Sequence, residues 1–240
     1  MAKLPPKRQS ANPSGRSRGA TVRVKTARGR TSSSNRWLQR QLNDPYVAEA
    51  KRLGYRSRAA FKIMWLDDKY KLFSKAKRIV DLGSSPGGWT QIAVERAPKG
   101  VDVLAIDLLE MPEVEGAKFM VMDFMADDAE KKLFDALGGK ADLVMSDMAN
   151  SATGHKQTDH LKTMAICETA FDFATKTLNP GGAFVAKVLR GGAETDLLAG
   201  LKKNFKKVHH AKPESSRSNS TELYLVALDF QPQASAKPQD

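Results

Sequence analysis

Four residues of this chain stand where their chemistry is costly unless it is used. Lys187 lies inside the apolar run Ala183-Phe184-Val185-Ala186-Lys187-Val188-Leu189. A lysine is rarely buried without a partner or a task. Asp147 closes another apolar run, Ala141 to Ser146, and Glu222 opens a third, Leu223 to Leu228. Lys62 sits in the amphipathic stretch Ser57 to Leu66, which places Phe61, Met64 and Trp65 on one face. If the three runs are neighbouring strands, two lysines and two acids meet in one crevice. Burial beside a second cation pushes a lysine's pKa down. A lysine tuned to about 7–8 can accept a proton near neutrality. The same position also suits a structural lysine whose stem packs while its head reaches water.

A ligand site is written beside them. Asp81-Leu82-Gly83-Ser84-Ser85-Pro86-Gly87-Gly88-Trp89 follows the strand-like Arg78-Ile79-Val80 and leads into the helical Thr90 to Arg96. A second strand, Val101 to Asp107, then ends on an acid. Strand, glycine loop, helix, strand and acid form a nucleotide-type cofactor pocket. Asp107 is 19 residues past Gly88, close to the spacing at which an acid meets ribose hydroxyls. The loop reads G-x-x-x-G-G from Gly83 with a proline inside, which is not the dinucleotide fingerprint. No Gly-Lys-Ser/Thr follows, so it is not a phosphate loop. A cofactor without a pyrophosphate suits it, and S-adenosylmethionine is one.

The elements that must position these residues alternate. Strands are expected at 78–80, 101–107, 118–123, 141–147, 183–189, 206–212 and 222–228, with helices at 44–53, 57–66, 90–96, 127–137, 159–178 and 194–204. That alternation predicts an α/β fold: a Rossmann-like, seven-stranded, mostly parallel sheet with an antiparallel last strand. Ligands of such sheets bind beyond the carboxyl ends of the strands. Gly83, Asp107, Asp123 and Asp147 all fall at such ends.

Charge divides the chain. Of the 39 Lys and Arg residues, 11 lie in residues 1–40, which contain no Asp or Glu. The other 200 residues carry 28 basic against 27 acidic side chains. The first segment is also rich in Ser, Gly and Pro, so residues 1–43 are expected to be a disordered basic arm. Residues 44–232 are expected to form the folded domain and 233–240 a flexible tail. Such an arm binds RNA phosphates through counterion release; a solubility tail or an anionic membrane surface are the competing uses.

Other classes are excluded. One cysteine, Cys167, forbids an internal disulfide and points to a reducing, cytoplasmic setting. No apolar run approaches a membrane span and no secretory signal is visible, although a transit peptide would resemble the basic start. His155, His160, His209 and His210 fit no zinc spacing, so no metal is expected.

At these residues the chain resembles the FtsJ/RrmJ family of ribose 2′-O-methyltransferases. The stretches that carry the resemblance are Tyr55 to Lys62, Asp81 to Trp89, Asp107-Leu108-Leu109, Ser146-Asp147-Met148-Ala149, Phe184 to Val188, and Lys212-Pro213-Glu214-Ser215-Ser216-Arg217 through Glu222. The resemblance implies a Lys-Asp-Lys-Glu catalytic tetrad on Lys62, Asp147, Lys187 and Glu222. It implies that Gly87, Trp89, Asp107, Asp123 and Asp147 line the S-adenosylmethionine pocket. It implies a uridine ribose of 23S rRNA, in the large ribosomal subunit or its precursor, as substrate. The family usually continues Ser-Asp-Met-Ala with Pro-Asn, whereas Asn150-Ser151 stand here.

The expected chemistry is methyl transfer from the sulfonium to a ribose 2′-oxygen. Lys187 orients and deprotonates the hydroxyl, Asp147 positions Lys187, and Lys62 with Glu222 fixes the ribose. The enzyme is expected to act as a monomer. The alternatives are the same chemistry on tRNA or an mRNA cap, or a non-catalytic RNA-binding assembly factor.

Overall fold

A single seven-stranded sheet organises the computed structural model, which describes residues 22–24, 29–149, 155–190, 195–217 and 220–232. The strands are β1 (Arg78–Leu82), β2 (Asp102–Asp107), β3 (Ala117–Val121), β4 (Ala141–Ser146), β5 (Leu178–Leu189), β6 (Phe205–Ala211) and β7 (Glu222–Phe230). Across the sheet they run β3-β2-β1-β4-β5-β7-β6. β1 to β5 are parallel; β7 is antiparallel to both β5 and β6. The described residues of the connector from β6 to β7 hold no helix, and the chain folds straight back. β1 lies between β2 and β4, and the chain order reverses there, which opens a crevice above the strand ends.

The helices among the described residues are α1 (Ser32–Leu42), α2 (Pro45–Leu53), α3 (Ala60–Tyr70), α4 (Gly88–Arg96), α5 (Ala129–Leu137), α6 (Lys156–Thr177) and α7 (Thr195–Asn204). α2 shows why its boundaries are readable. Asp44 accepts from Tyr46 N at 3.1 Å, Pro45 occupies the first turn, and Gly54 ends the helix at φ +77°. Two apolar cores sandwich the sheet. On one face Phe61, Ile63, Met64 and Leu66 of α3 meet Trp89, Val185 and Tyr224. On the other, Met164, Cys167, Ala170 and Phe173 of α6 meet Val144, Phe184 and Leu225.

Four expectations need correction. Residues 29–43 do not belong to a disordered arm: Thr31 caps α1 by accepting from Ser34 N, and α1 packs on α2. The Gln39 and Asn43 side chains also hold the backbone of Val22 and Val24. Charge counting missed this because a capped helix with apolar residues needs no acids. Residues 1–21 and 25–28 of the arm, the 233–240 tail and Asn150-Ser151 lie outside the described residues. α3 begins at Ala60 rather than Ser57, whose hydroxyl accepts from Ala59 N in a preceding turn. β5 begins at Leu178 rather than at Ala183, with an irregular register over Asn179 to Gly182. Between the paired Leu178 and Ala183, the Asn179 amide donates to Asp142 Oδ1 at 2.8 Å. β3 ends at Val121, which leaves Asp123 in the loop beyond it.

Candidate active site

Each member of the expected tetrad is placed by a different element. The parallel pairing of β4 and β5 ends with Ser146 beside Ala186, which brings Asp147 level with Lys187. Lys187 Nζ lies 2.8 Å from Asp147 Oδ1 and donates to the Asp147 main-chain oxygen at 2.7 Å. The antiparallel pairing of β5 and β7 sets Lys187 opposite Tyr224 and Leu189 opposite Glu222. Lys62, from the first turn of α3, reaches over this pair and bonds Glu222 Oε2 at 2.8 Å. The structure therefore brings all four together as two coupled ion pairs. Both are largely withdrawn from solvent, with side-chain exposures of 11–16%.

Two residues complete the group. Tyr224 donates its hydroxyl to Asp147 Oδ1 at 2.7 Å, and its ring lies 5.7 Å from Lys62 Nζ. Ser216 donates to Glu222 Oε1 at 2.9 Å. Tyr224 was legible: side chains two apart on a strand share a face, and Glu222 and Tyr224 are two apart. Ser216 gave no such signal, because the loop from β6 to β7 has no period to read.

Charge flows through Asp147. Burial opposes its ionisation, but Lys187, Lys62 and the Tyr224 hydroxyl outweigh burial and hold its carboxyl below the ordinary range. The Tyr224 phenol is pushed well above its ordinary value by burial and by Asp147 and Glu222. It stays a neutral donor.

A cavity of about 680 Å³ opens at the strand ends. Asp107, Asp123 and Asp147 all line it, as does Gly83. Asp147 is the one tetrad residue in its wall. Asp107 shapes the glycine loop: its two oxygens accept from Ser85 N at 2.8 Å and Leu109 N at 2.9 Å. Asp123 accepts from Met125 N at 2.8 Å. Gly83 has φ +76°, and a side chain there would collide with Met148. Apolar walls come from Ile106, Leu108, Leu109, Met122 and Phe124.

Gly87 and Trp89 are not among the residues lining this cavity. Gly87 caps α4 at φ +101° and faces Arg56 and Met111. The Trp89 indole is 2% exposed, donates to Ala59 O at 3.0 Å and packs on Tyr224. Its side chain is core, and it braces the tetrad from below. Arg56 ties the same region by donating to the carbonyls of Pro86, Pro112 and Glu113. Asp81, which the sequence reading left without a role, is fully buried beneath the glycine loop. It accepts from Thr90 Oγ1 at 2.6 Å, while its other oxygen has no partner. No group of three or more metal-type ligands occurs among the described residues, and no helix among them is long and apolar enough to cross a membrane.

Comparison with known proteins identifies the family. A family described as FtsJ-like methyltransferase matches residues 55–230. A protein of Novosphingobium aromaticivorans named ribosomal RNA large subunit methyltransferase E is 58% identical over 208 residues, covering 87% of this chain and 93% of that protein. The protein of that name from Zymomonas mobilis is 56% identical over 212 residues, covering 88% and 96%. A crystal structure of a putative ribosomal RNA methyltransferase from Plasmodium falciparum superposes with a TM-score of 0.66 at 32% identity, covering 75% of this chain and all of that one. With the glycine loop, the sheet order and the match over 55–230 in agreement, the chain belongs to the FtsJ-like methyltransferase family.

Proposed function

We propose that this enzyme transfers a methyl group from S-adenosylmethionine to the 2′-oxygen of a uridine ribose in 23S rRNA of the large ribosomal subunit. The observation that carries the reading is the position of Asp147, which is both cavity wall and partner of Lys187. A ligand in the cavity is thereby next to a lysine held by one hydrogen bond and one ion pair.

The cavity suits this cofactor. Its volume is in the usual range for small-molecule sites, and its walls are apolar with few polar groups. Asp107 uses one acceptor site on each oxygen for the backbone, and a carboxylate has about four, so two remain for ribose hydroxyls. Asp123 keeps three in the same way. Gly87 and Trp89 contribute through the backbone at the start of α4 rather than through side chains. When bound, S-adenosylmethionine supplies a methyl carbon made electrophilic by a sulfonium.

Lys187 orients the ribose hydroxyl and takes its proton. Asp147 takes two positions around Lys187 Nζ, one as a hydrogen bond to its main-chain oxygen and one as an ion pair; in the deprotonated amine the third position is the lone pair, which accepts the proton of the ribose hydroxyl. Tyr224 fixes Asp147 so that the lysine has one seat. Lys62, held by Glu222, which Ser216 holds in turn, secures the ribose. Holding the reacting groups in attack geometry supplies much of the acceleration.

The names of the relatives support rRNA as substrate. The cations of residues 1–40 meet RNA phosphates, and the protein acts as a cytoplasmic monomer. Labelled-methyl transfer to isolated 50S subunits, naked 23S rRNA and bulk tRNA tests the reading. The subunit is expected to accept most label, at a 2′-oxygen. Preference for tRNA, or label on a base, would overturn it.

A further inference from the structure

A second set of side chains leads away from the tetrad along α3. Lys62, Trp65 and Lys69 are spaced i, i+3 and i+7, which puts them on one side of the helix. Lys62 stands at the tetrad end. Seven residues on, about 10 Å along the axis, Lys69 Nζ lies 5.1 Å from the Trp65 ring centre and 5.2 Å from that of Tyr70. The Tyr70 ring stacks on His209, with centroids 5.3 Å apart and planes 30° apart.

His209 ties this group to the same side of the sheet as the active site. On β6 it pairs with Val226, and Ala211 pairs with Tyr224. Residues two apart share a face, so His209 and Tyr224 point to the same side. Trp65 and Tyr70 are half-buried; Lys69 and His209 are exposed. The neighbouring acids Asp67 and Asp68 are both taken up by Arg96. The result is a row of ring, cation, ring and ring running from the acceptor site to the sheet edge.

We propose that Trp65, Lys69, Tyr70 and His209 form a stacking platform for single-stranded RNA nucleotides that flank the ribose being methylated. This rests on the RNA methyltransferase reading above and adds to it where the strand runs. Aromatic faces accept unstacked bases of any sequence, and an interleaved cation attracts the backbone. A duplex offers no unstacked base, and an apolar protein partner would not place an ammonium between the rings. The row also continues directly from Lys62, so one strand reaches both.

Two readouts test the platform independently. The first is quenching of tryptophan fluorescence by a short oligouridine, which needs no catalysis. The parent protein should be quenched, Trp65→Phe should lose most of the quenching, and a Lys69→Ala/His209→Ala double variant should bind at least fivefold more weakly. One lost base stack corresponds to roughly 5- to 150-fold. Both positions of the double variant are exposed, so folding should be retained, with circular dichroism as the check. The second readout is KM for 50S subunits, which should rise at least fivefold in the double variant, with a smaller effect on kcat. Equal quenching in Trp65→Phe, or unchanged oligouridine affinity in the double variant, would overturn the platform. If the parent transferred no methyl to 50S while oligouridine binding still depended on Lys69 and His209, the substrate assignment would fall and the platform would stand. If transfer occurred with unchanged KM in the double variant, the platform would fall and the assignment would stand.

Discussion

The two halves of the crevice satisfy their carboxylates by different means. Over β4, β5 and β7, Asp147 and Glu222 are met by the side chains of Lys187, Tyr224, Lys62 and Ser216. Over β2 and β3, Asp107 and Asp123 are met by main-chain N–H groups of adjacent loops. The first arrangement couples charges, so losing one member leaves its partner uncompensated. The second fixes the shape of a loop, so losing one member softens a binding surface. Chemistry should therefore fail on one side and affinity on the other.

The strongest challenge to this division is Asp147, which belongs to both halves. Asp147→Ala should lower turnover by at least roughly 100-fold and also weaken S-adenosylmethionine binding. It should cost about 3–5 kcal/mol of stability, because a largely buried lysine loses its partner. Single-turnover assays, calorimetric titration and urea unfolding read these three effects. A variant that lost turnover alone would place Asp147 in the tetrad half only. Next comes Asp107→Ala, which frees Ser85 N and Leu109 N together. Cofactor Kd should rise roughly tenfold or more, since two charge-assisted hydrogen bonds that shape the loops are lost, while kcat at saturating cofactor changes less. Equal losses in both would erase the distinction between the halves. Tyr224→Phe is a smaller change, removing one hydroxyl from Asp147. A hydrogen bond to a charged group contributes about 1.5–3 kcal/mol, so kcat should fall about tenfold, with cofactor Kd within a factor of about two.

Legibility followed the same division. The clustering of Lys62, Asp147, Lys187 and Glu222 was readable because each interrupts or bounds an apolar run, and strand pairing then decides which of them meet. Lys187 and Asp147 come level because β4 and β5 are parallel neighbours. The fold was readable for a related reason: apolar runs alternating with capped helices leave few topologies. The failures lie where local geometry overrides composition. α1 grows from a Thr31 cap inside a segment whose charge reads as disordered. Asn179 to Gly182 look like a break before the strand, yet β5 already pairs with β4 at Leu178, and Asp142 anchors the Asn179 amide beside it. Trp89 was assigned to the cofactor, but its indole finds Ala59 O and the Tyr224 ring in the core. Asp81 sits inside the glycine-loop motif, and only its burial reveals it as a titrating group.

Acid–base behaviour offers the finest test. Burial pushes the Asp81 carboxyl up to about 7, with Asp147 and Asp107 adding to the rise and Thr90 opposing it. Between its ordinary value of 3.8 and about 7, the folded state holds a proton that the unfolded state releases. Stability from this group therefore falls as pH rises through that window. Asp147 has the opposite sign: its carboxyl is held low, so its contribution is present above the ordinary carboxylate range and is lost as pH falls. Asp81→Asn should flatten the decline in urea midpoint between about pH 4 and 7. An unchanged slope would mean that Asp81 does not titrate there.

The most direct test of the central claim is a pair of measurements on Lys187→Ala: the rate of methyl transfer to 50S subunits and the affinity for S-adenosylmethionine. Lys187 touches Asp147 but does not line the cavity. The account predicts that transfer drops by at least roughly 100-fold, the low end for a lost general base, with cofactor Kd within a factor of about three. Near-normal transfer by this variant would contradict it.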